Sequence, residues 1–238
     1  MALKYRRILL KLSGEALMGK EKFGIEYTAC EHIAKSIKEV SDHGVEIGVV
    51  IGGGNIFRGA QAEHFGFART PADQIGMIAT SINGIVLQQA LSVVGCKSRV
   101  MSAISCDGII EPFNWQETLL YLEKGIIVIF VGGTGNPYFT TDTAAALRAS
   151  EIDAEILLKA TKVDGIYDKD PIKHRDAKKF THLSYSEALT KKLNIMDATA
   201  IALCRENKIP ICVFNLFEKG AFLNALSQKE GGTIVSGE

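Results

Sequence analysis

Three apolar runs in this chain each end abruptly in glycine and small polar residues, and that punctuation restricts the fold more than any other feature. Ile8-Leu9-Leu10-Lys11-Leu12 ends in Ser13-Gly14. Residues 45–51 end in Gly52-Gly53-Gly54-Asn55, and residues 126–131 end in Gly132-Gly133-Thr134-Gly135-Asn136-Pro137. Short runs rich in isoleucine and valine have the character of strands buried on both faces, as in a parallel sheet. Ligands of open α/β sheets bind just beyond the carboxyl ends of the strands. Three glycine turns at three such ends would converge their backbone N–H groups on an anion. The pattern points to phosphate groups.

The segments between these runs alternate helix and strand signals. Thr28 with Glu31 three residues later reads as a capping box for a helix to about residue 43, with Gly44 as its stop. Thr70-Pro71-Ala72-Asp73 reads as cap, first-position proline and acidic first turn of a long helix to about residue 94. Helices are expected at 114–123, 141–150, 197–207 and 220–227, and strands at 6–12, 97–104, 155–160 and 210–215. Residues 162–171 read as a turn-rich excursion of short β character. The alternation predicts an α/β fold with a mainly parallel sheet. No internal repeat or low-complexity linker interrupts the 238 residues, so a single domain over 1–238 is expected.

Composition narrows the class. Lys plus Arg and Asp plus Glu are both 27, so no global field favours nucleic acid or an anionic membrane. No apolar stretch approaches the roughly 18 residues of a spanning helix. Lys11 interrupts the first apolar run too early for a signal peptide. Cys30, Cys96, Cys106, Cys204 and Cys212 are odd in number and lack Cys-x-x-Cys spacing, which predicts reduced, buried thiols. The five histidines show no metal-like spacing with them, and no zinc site is assigned. A cytoplasmic protein is expected.

Gly14 to Lys20 spells Gly-x-x-x-x-Gly-Lys, but Glu21 stands where a P-loop needs a hydroxyl for magnesium. The match is a coincidence of spacing. No glycine turn completes Gly-x-Gly-x-x-Gly. Lys11 reads either as a snorkelling strand lysine or as a cation at a transferred phosphate. Arg58 reads as a surface arginine or a phosphate ligand. Asp73, Asp142 and Asp197 all stand near expected helix starts, so each is a helix-end acid or a ligand. Asp142 could also bridge a metal or orient a lysine. Thr140 and Thr141 could donate to phosphate or cap a helix. Tyr167 could stack on a nucleobase or fold onto the core.

These motifs together resemble the bacterial UMP kinases of the amino-acid kinase family. The resemblance rests on Lys11-Leu12-Ser13-Gly14-Glu15, on Gly52 through Gly59, on Gly132 through Asp142 and on Lys159 through Gly165, and it runs over essentially the whole chain. It implies a three-layer αβα sandwich, ATP- and Mg²⁺-dependent conversion of UMP to UDP, and a cytoplasmic homohexamer. Lys11, Arg58 and Asp142 are the implied catalytic residues. Lys11, Leu12, Ser13, Gly14, Gly54, Arg58, Thr161, Tyr167 and Asp170 match ATP-contacting positions. Gly53, Asp73, Thr134, Gly135, Asn136, Pro137, Tyr138, Phe139, Thr140 and Thr141 match UMP-contacting positions. A second cation is expected from Lys159 or Lys162. The resemblance also implies activation by GTP and inhibition by UTP, with Gly19, Lys20, Glu21, Lys22, Phe23 and Gly24 as the activation-linked segment. Lys22 occupies a place where the family pattern leads one to expect glycine. Rival readings are a phosphotransferase of the same fold with a carboxylate or carbamate acceptor, and a non-catalytic nucleotide-binding protein.

Overall fold

The structure, a computed structural model, describes residues 3–58, 65–171, 173–174, 176–191, 193, 195–227 and 231–237. Gly59, the last residue of the second motif, lies outside the described residues. The strands in chain order are β1 (Arg7–Leu12), β2 (Glu46–Ile51), β3 (Ser98–Ser102), β4 (Glu111–Pro112), β5 (Ile127–Val131), β6 (Ile156–Thr161), β7 (Ile166–Tyr167), β8 (Lys179–Phe180), β9 (His182–Leu183), β10 (Ile211–Asn215) and β11 (Thr233–Val235). The main sheet runs β4-β3-β5-β2-β1-β6-β10-β11-β9, and among its described pairs only β10–β11 is antiparallel. β7 and β8 form a separate antiparallel ribbon, which realises the turn-rich excursion after β6.

The helices are α1 (Tyr27–Ser41), α2 (Arg69–Val93), α3 (Trp115–Glu123), α4 (Thr141–Glu151), α5 (Tyr185–Thr190), α6 (Ala198–Glu206) and α7 (Ala221–Leu226). Strand alternation sorts them into two outer layers. Ile8, Leu10 and Leu12 of β1 meet α1, α2 and α7 on one face. Leu9 meets α3, α4, α5 and α6 on the other. Every residue of β2 is buried, as a strand covered on both faces must be. The result is the expected αβα sandwich.

Four local expectations are corrected. Helix α1 is capped by Glu26, whose carboxylate accepts from the amides of Thr28 and Ala29, so Thr28 is not the cap. A carboxylate reaches both amides at once where the threonine hydroxyl would reach one. Helix α2 starts at Arg69 behind Ala68, which offers no side-chain cap, so Pro71 is its third residue and Asp73 its fifth. α2 also meets the length and hydropathy of a membrane-crossing helix, its 25 residues including an 18-residue stretch of mean hydropathy 1.2, against the expectation that no stretch does. Its buried face lies on the sheet and on the glycine turns. Cys96 and Cys106 are only half-buried, whereas Cys30, Cys204 and Cys212 are buried as expected.

Candidate active site

Strand register brings the charged centre together. Lys11 pairs with Lys159 on the adjacent parallel strand, so both side chains leave the sheet on the same face. That face is the one shared with Leu9 and Leu157, and it meets α4. Thr140 caps α4 through the Asp142 amide, which sets the Asp142 carboxylate over the two ammonium groups. Lys11 Nζ lies 2.7 Å from Asp142 Oδ1, and Lys159 Nζ lies 2.9 Å from Oδ2. Lys159 also donates to the Ile195 carbonyl. One carboxylate therefore spaces two cations, Lys11 buried and Lys159 half-buried.

The electrostatics follow from that count. Burial works to raise the Asp142 carboxyl, but the Lys11 and Lys159 charges outweigh it and hold the group below its ordinary value. Burial lowers Lys159; Asp142 opposes that shift and the neighbouring Lys11 charge adds to it. Asp197 also acts on Lys159, so the local charge is close to balanced, and the two ammonium groups are what the site offers an anion. Asp197 secures the frame, accepting from Thr140 and Thr143 of the α4 start and from the Ala200 amide as the cap of α6.

Two cavities flank the cluster. The first, about 370 Å³, is lined by Lys11, Ser13, Glu15, residues 159–163 and Phe217, among others. It lies over the ends of β1 and β6. The second, about 140 Å³, is lined by Gly53, Gly54, Asp73, Thr80, Thr134, Asn136, Phe139, Thr140 and Thr141, with residues of α2 beneath. Asp142 stands at the boundary, because Thr141 lines the second cavity and its lysine partners line the first. A larger cavity of about 740 Å³, lined by Lys4, Tyr5, Arg205 and Lys208, precedes β1 and β10 at the opposite edge of the sheet and touches none of the glycine turns.

The third glycine turn needs its glycines. Gly132, Gly133 and Gly135 have φ of 77°, 60° and 80°, in the left-handed region that side chains resist. Tyr138 adopts φ 72° there despite its side chain. Its amide donates to Asp73 Oδ2 at 2.7 Å, and Arg69 both pairs with Asp73 and stands over the Tyr138 ring. Asp73 is thus tied to the third turn.

The remaining predicted residues are placed in the first, second and third turns and around them. Leu12 has its side chain in the core, leaving only its backbone to the site, and Gly14 packs against Gly52 and Asn55. Thr161 lines the first cavity with its hydroxyl donating to Val163 O, while Gly54 lines the second. Arg58 pairs with Glu15 at 3.0 Å and donates to Gly54 O, so it bridges the first two turns. Gly135 packs on Ala103, and Pro137 lies in the same turn. Tyr167 donates to Asp164 at 2.6 Å, a bond that pushes its hydroxyl up to about 12. Neither it nor Asp170, which faces Lys173, lines the described cavities. Gly19, Lys20 and Glu21 line a further cavity of about 620 Å³ that shares Lys162 and Phe217 with the first. Lys22, exposed Phe23 and Gly24 continue that segment.

Sequence reasoning missed the underside of the site. Ala72, Gly76, Met77 and Thr80 of α2 line the second cavity, and Asn83 lies one turn further along. Small and polar residues at helical spacing from Asp73 were the available signal. Leu216 and Phe217, lining the first cavity just after β10, carried no motif.

Comparison with known proteins agrees with this architecture. The model for the amino acid kinase family matches residues 6–215. A uridylate kinase of Protochlamydia amoebophila (strain UWE25) is 59% identical over 234 residues, covering 97% of this chain and 92% of that protein. A crystal structure of UMP kinase from Bacillus anthracis superposes with a TM-score of 0.95 at 37% identity, covering 98% of this chain and 96% of that one. UMP kinase from Ureaplasma parvum gives a TM-score of 0.92 at 39% identity, covering 99% and 100%. The sheet order, the paired strand lysines and the extent of these matches lead to one conclusion: this chain belongs to the amino-acid kinase family.

Proposed function

We propose that the chain transfers the γ-phosphoryl group of ATP to UMP, giving ADP and UDP, as a step of pyrimidine nucleotide biosynthesis. The observation that carries this reading is the Lys11–Asp142–Lys159 cluster at the boundary of two cavities. ATP occupies the first cavity, lined by Lys11, Ser13 and Thr161 with the backbone of Leu12 and Gly14 adjoining. Gly54, Arg58, Tyr167 and Asp170 lie outside that lining and are read as contacts of the parts of ATP that extend beyond it. UMP occupies the second, with Gly53, Asp73 and residues 134–141. The UMP kinase relatives support the choice of acceptor.

The UMP phosphate is already ionised at neutral pH, so it attacks the γ-phosphorus in line without a strong general base. One P–O bond forms to the UMP phosphate as the bond to the β-phosphate oxygen breaks, and ADP leaves with that electron pair. Catalysis is then alignment and charge stabilisation. Lys11 neutralises charge on the moving phosphoryl group, and the glycine-turn amides share that work. Lys159 is the better second cation, since it stands in register with Lys11 and shares its carboxylate. Lys162 lines both the donor cavity and its neighbour. Asp142 is already neutralised by two lysines and makes a poor metal ligand. Bound with ATP, magnesium would supply further charge neutralisation on the phosphates beside Lys11 and the glycine-turn amides.

The exposed apolar residues Ile75, Ile78 and Ile82 recur along one face of α2 and support self-association, here read as a cytoplasmic homohexamer of single-domain chains. The cavity beside residues 19–21 supports effector control through that segment, with GTP activating and UTP inhibiting. A coupled ADP-release assay with UMP, CMP, aspartate and acetylglutamate tests the assignment. Release that depends on UMP is the expected result. Equal release with a carboxylate acceptor, or none with any acceptor, would overturn it.

A further inference from the structure

The second and third glycine turns rest on one face of α2, and two of its buried side chains hold them. Asn83 is fully buried and Thr80 nearly so. They stand three residues apart, hence on the same side of the helix. Asn83 Nδ2 donates to the Gly52 carbonyl at 2.7 Å and to Asn55 Oδ1 at 2.7 Å. Asn55 Nδ2 returns a bond to Asn83 Oδ1 at 3.0 Å and donates to Gly24 O at 3.0 Å. All four amide hydrogens of this pair are committed. Thr80 gives its hydroxyl proton to Met77 O at 2.6 Å, which leaves a lone pair for the Gly132 amide at 2.8 Å.

We propose that Asn83 and Thr80 are positioning residues that fix the spacing of the second and third turns, and so the width of the acceptor cavity. This rests on the reading of that cavity as the UMP site. Among the described residues, Asp73 is the other α2 side chain that holds the third turn, and it does so only at the Tyr138 end, away from Gly132. Gly53 has no side chain and sits where a Cβ would stand 2.8 Å from the Gly76 carbonyl. The turns approach the helix by backbone, and polar bonds from the helix set where they stop. Asn83 lines neither cavity, so its influence on ligand must pass through the turns. The donor cavity has no lining residue from α2 or from either turn, so that Gly54 and Arg58 are the only ATP contacts read from the second turn and they reach ATP from outside that lining. Loss of the hold should therefore weaken the acceptor selectively.

Calorimetric titration of UMP and of MgATP, each alone, into the full-length Asn83→Leu, Thr80→Val and Thr80→Ser proteins tests this. Asn83→Leu keeps the branched heavy-atom skeleton with bulkier methyl ends, and leaves the Gly52 carbonyl, Asn55 Oδ1 and one Asn55 amide hydrogen unpaired. It should weaken UMP by about tenfold or more while ATP stays within about threefold. Thr80→Val should act alike, and Thr80→Ser, which keeps the hydroxyl, should stay close to the parent for both ligands. Should Asn83→Leu not fold, Asn83→Ala takes its place, because Thr80 itself lines the acceptor cavity whereas Asn83 lines neither. A lowered melting temperature with unchanged UMP affinity would reduce these residues to ordinary core polar groups and overturn the proposal. Parallel loss of both ligands would overturn it too. An Asp73→Ala protein separates the premises. Weak UMP binding there, with normal binding in the leucine and valine variants, refutes the positioning role alone. Normal UMP binding in all of them refutes the acceptor-site reading and the proposal with it.

Discussion

The donor and acceptor sides of the site are built from different materials. On the donor side, charge sits on strands: Lys11 and Lys159 are neighbours in register, and a single carboxylate from α4 spaces them. On the acceptor side, neutral backbone sits on a helix: glycine turns rest on Gly76, Ala79 and Thr80, tied by amide and hydroxyl bonds. Charge at a buried strand end stabilises a transferring phosphoryl group strongly but places it through long side chains. Backbone packed on a helix contributes little charge but little freedom of movement either. The comparison teaches that transfer and acceptor placement rest on separable parts of the fold, and substitutions on each side should have different signatures.

The largest effect should come from breaking the donor side at its shared carboxylate. Asp142→Asn leaves buried Lys11 and half-buried Lys159 facing a neutral amide. Removing one partner of a fully buried arrangement costs about 3–5 kcal/mol, and the loss here should approach the lower figure. Chemical denaturation should show that loss, together with a fall in turnover. An Asp142→Asn enzyme of parental stability would break the claim that the lysines depend on it.

The acceptor side should respond to bulk instead. Gly53→Ala puts a Cβ 2.8 Å from the Gly76 carbonyl and 2.9 Å from the Ala79 Cβ. Overpacking of this kind costs about 1–3 kcal/mol, and it should raise the KM for UMP more than that for ATP. A reversed ranking of the two KM values would erase the distinction between the sides.

A smaller change is expected from Asp73→Ala. Tyr138 would keep its left-handed backbone without the carboxylate that holds its amide. Loss of one charge-assisted bond at a partly exposed position should weaken UMP by roughly tenfold and leave ATP nearly unchanged. Separate titrations of the two nucleotides decide this.

The smallest effect is a pH dependence confined to acid. Asp142 titrates below its ordinary value of 3.8 in the folded protein, despite burial, because of its two lysines. Its contribution to stability is then complete above 3.8 and is lost as pH falls through the lowered value. Lys159 is shifted down from 10.5, so the unfolded chain binds more protons over that alkaline range and stability contributed by this group rises with pH there. Between these windows the cluster should leave the melting temperature level. Asp142→Asn should flatten the acid limb, and an unaltered limb would assign it to other carboxylates.

Much of this division could be read from the sequence, and the reasons are physical. Strand ends announce themselves, because a run of β-branched residues that stops in glycine has few other uses, and Lys11 interrupts such a run visibly. The α/β class and its mainly parallel sheet follow from the alternation of strand and helix signals, whereas the αβα layering comes from the family resemblance. The underside of the acceptor site was not legible. Thr80 and Asn83 look like ordinary polar residues of a helix until the fold sets the turns against them. The cap of α1 was misplaced because Glu26 and Thr28 both carry capping chemistry and only geometry chooses between them. β11 and α5 lacked a periodic signal long enough to read, although Ser184 and Glu187 do form a capping box.

The central claim, that the strand lysines drive transfer while the glycine turns hold the acceptor, is tested most directly by steady-state kinetics of Lys11→Ala with MgATP and UMP both varied. Turnover should fall by about 10²-fold or more, as for loss of other transition-state donors, with the KM for UMP within about threefold of the parent. Near-parental turnover, or a loss that appears entirely as a raised KM for UMP, would contradict it.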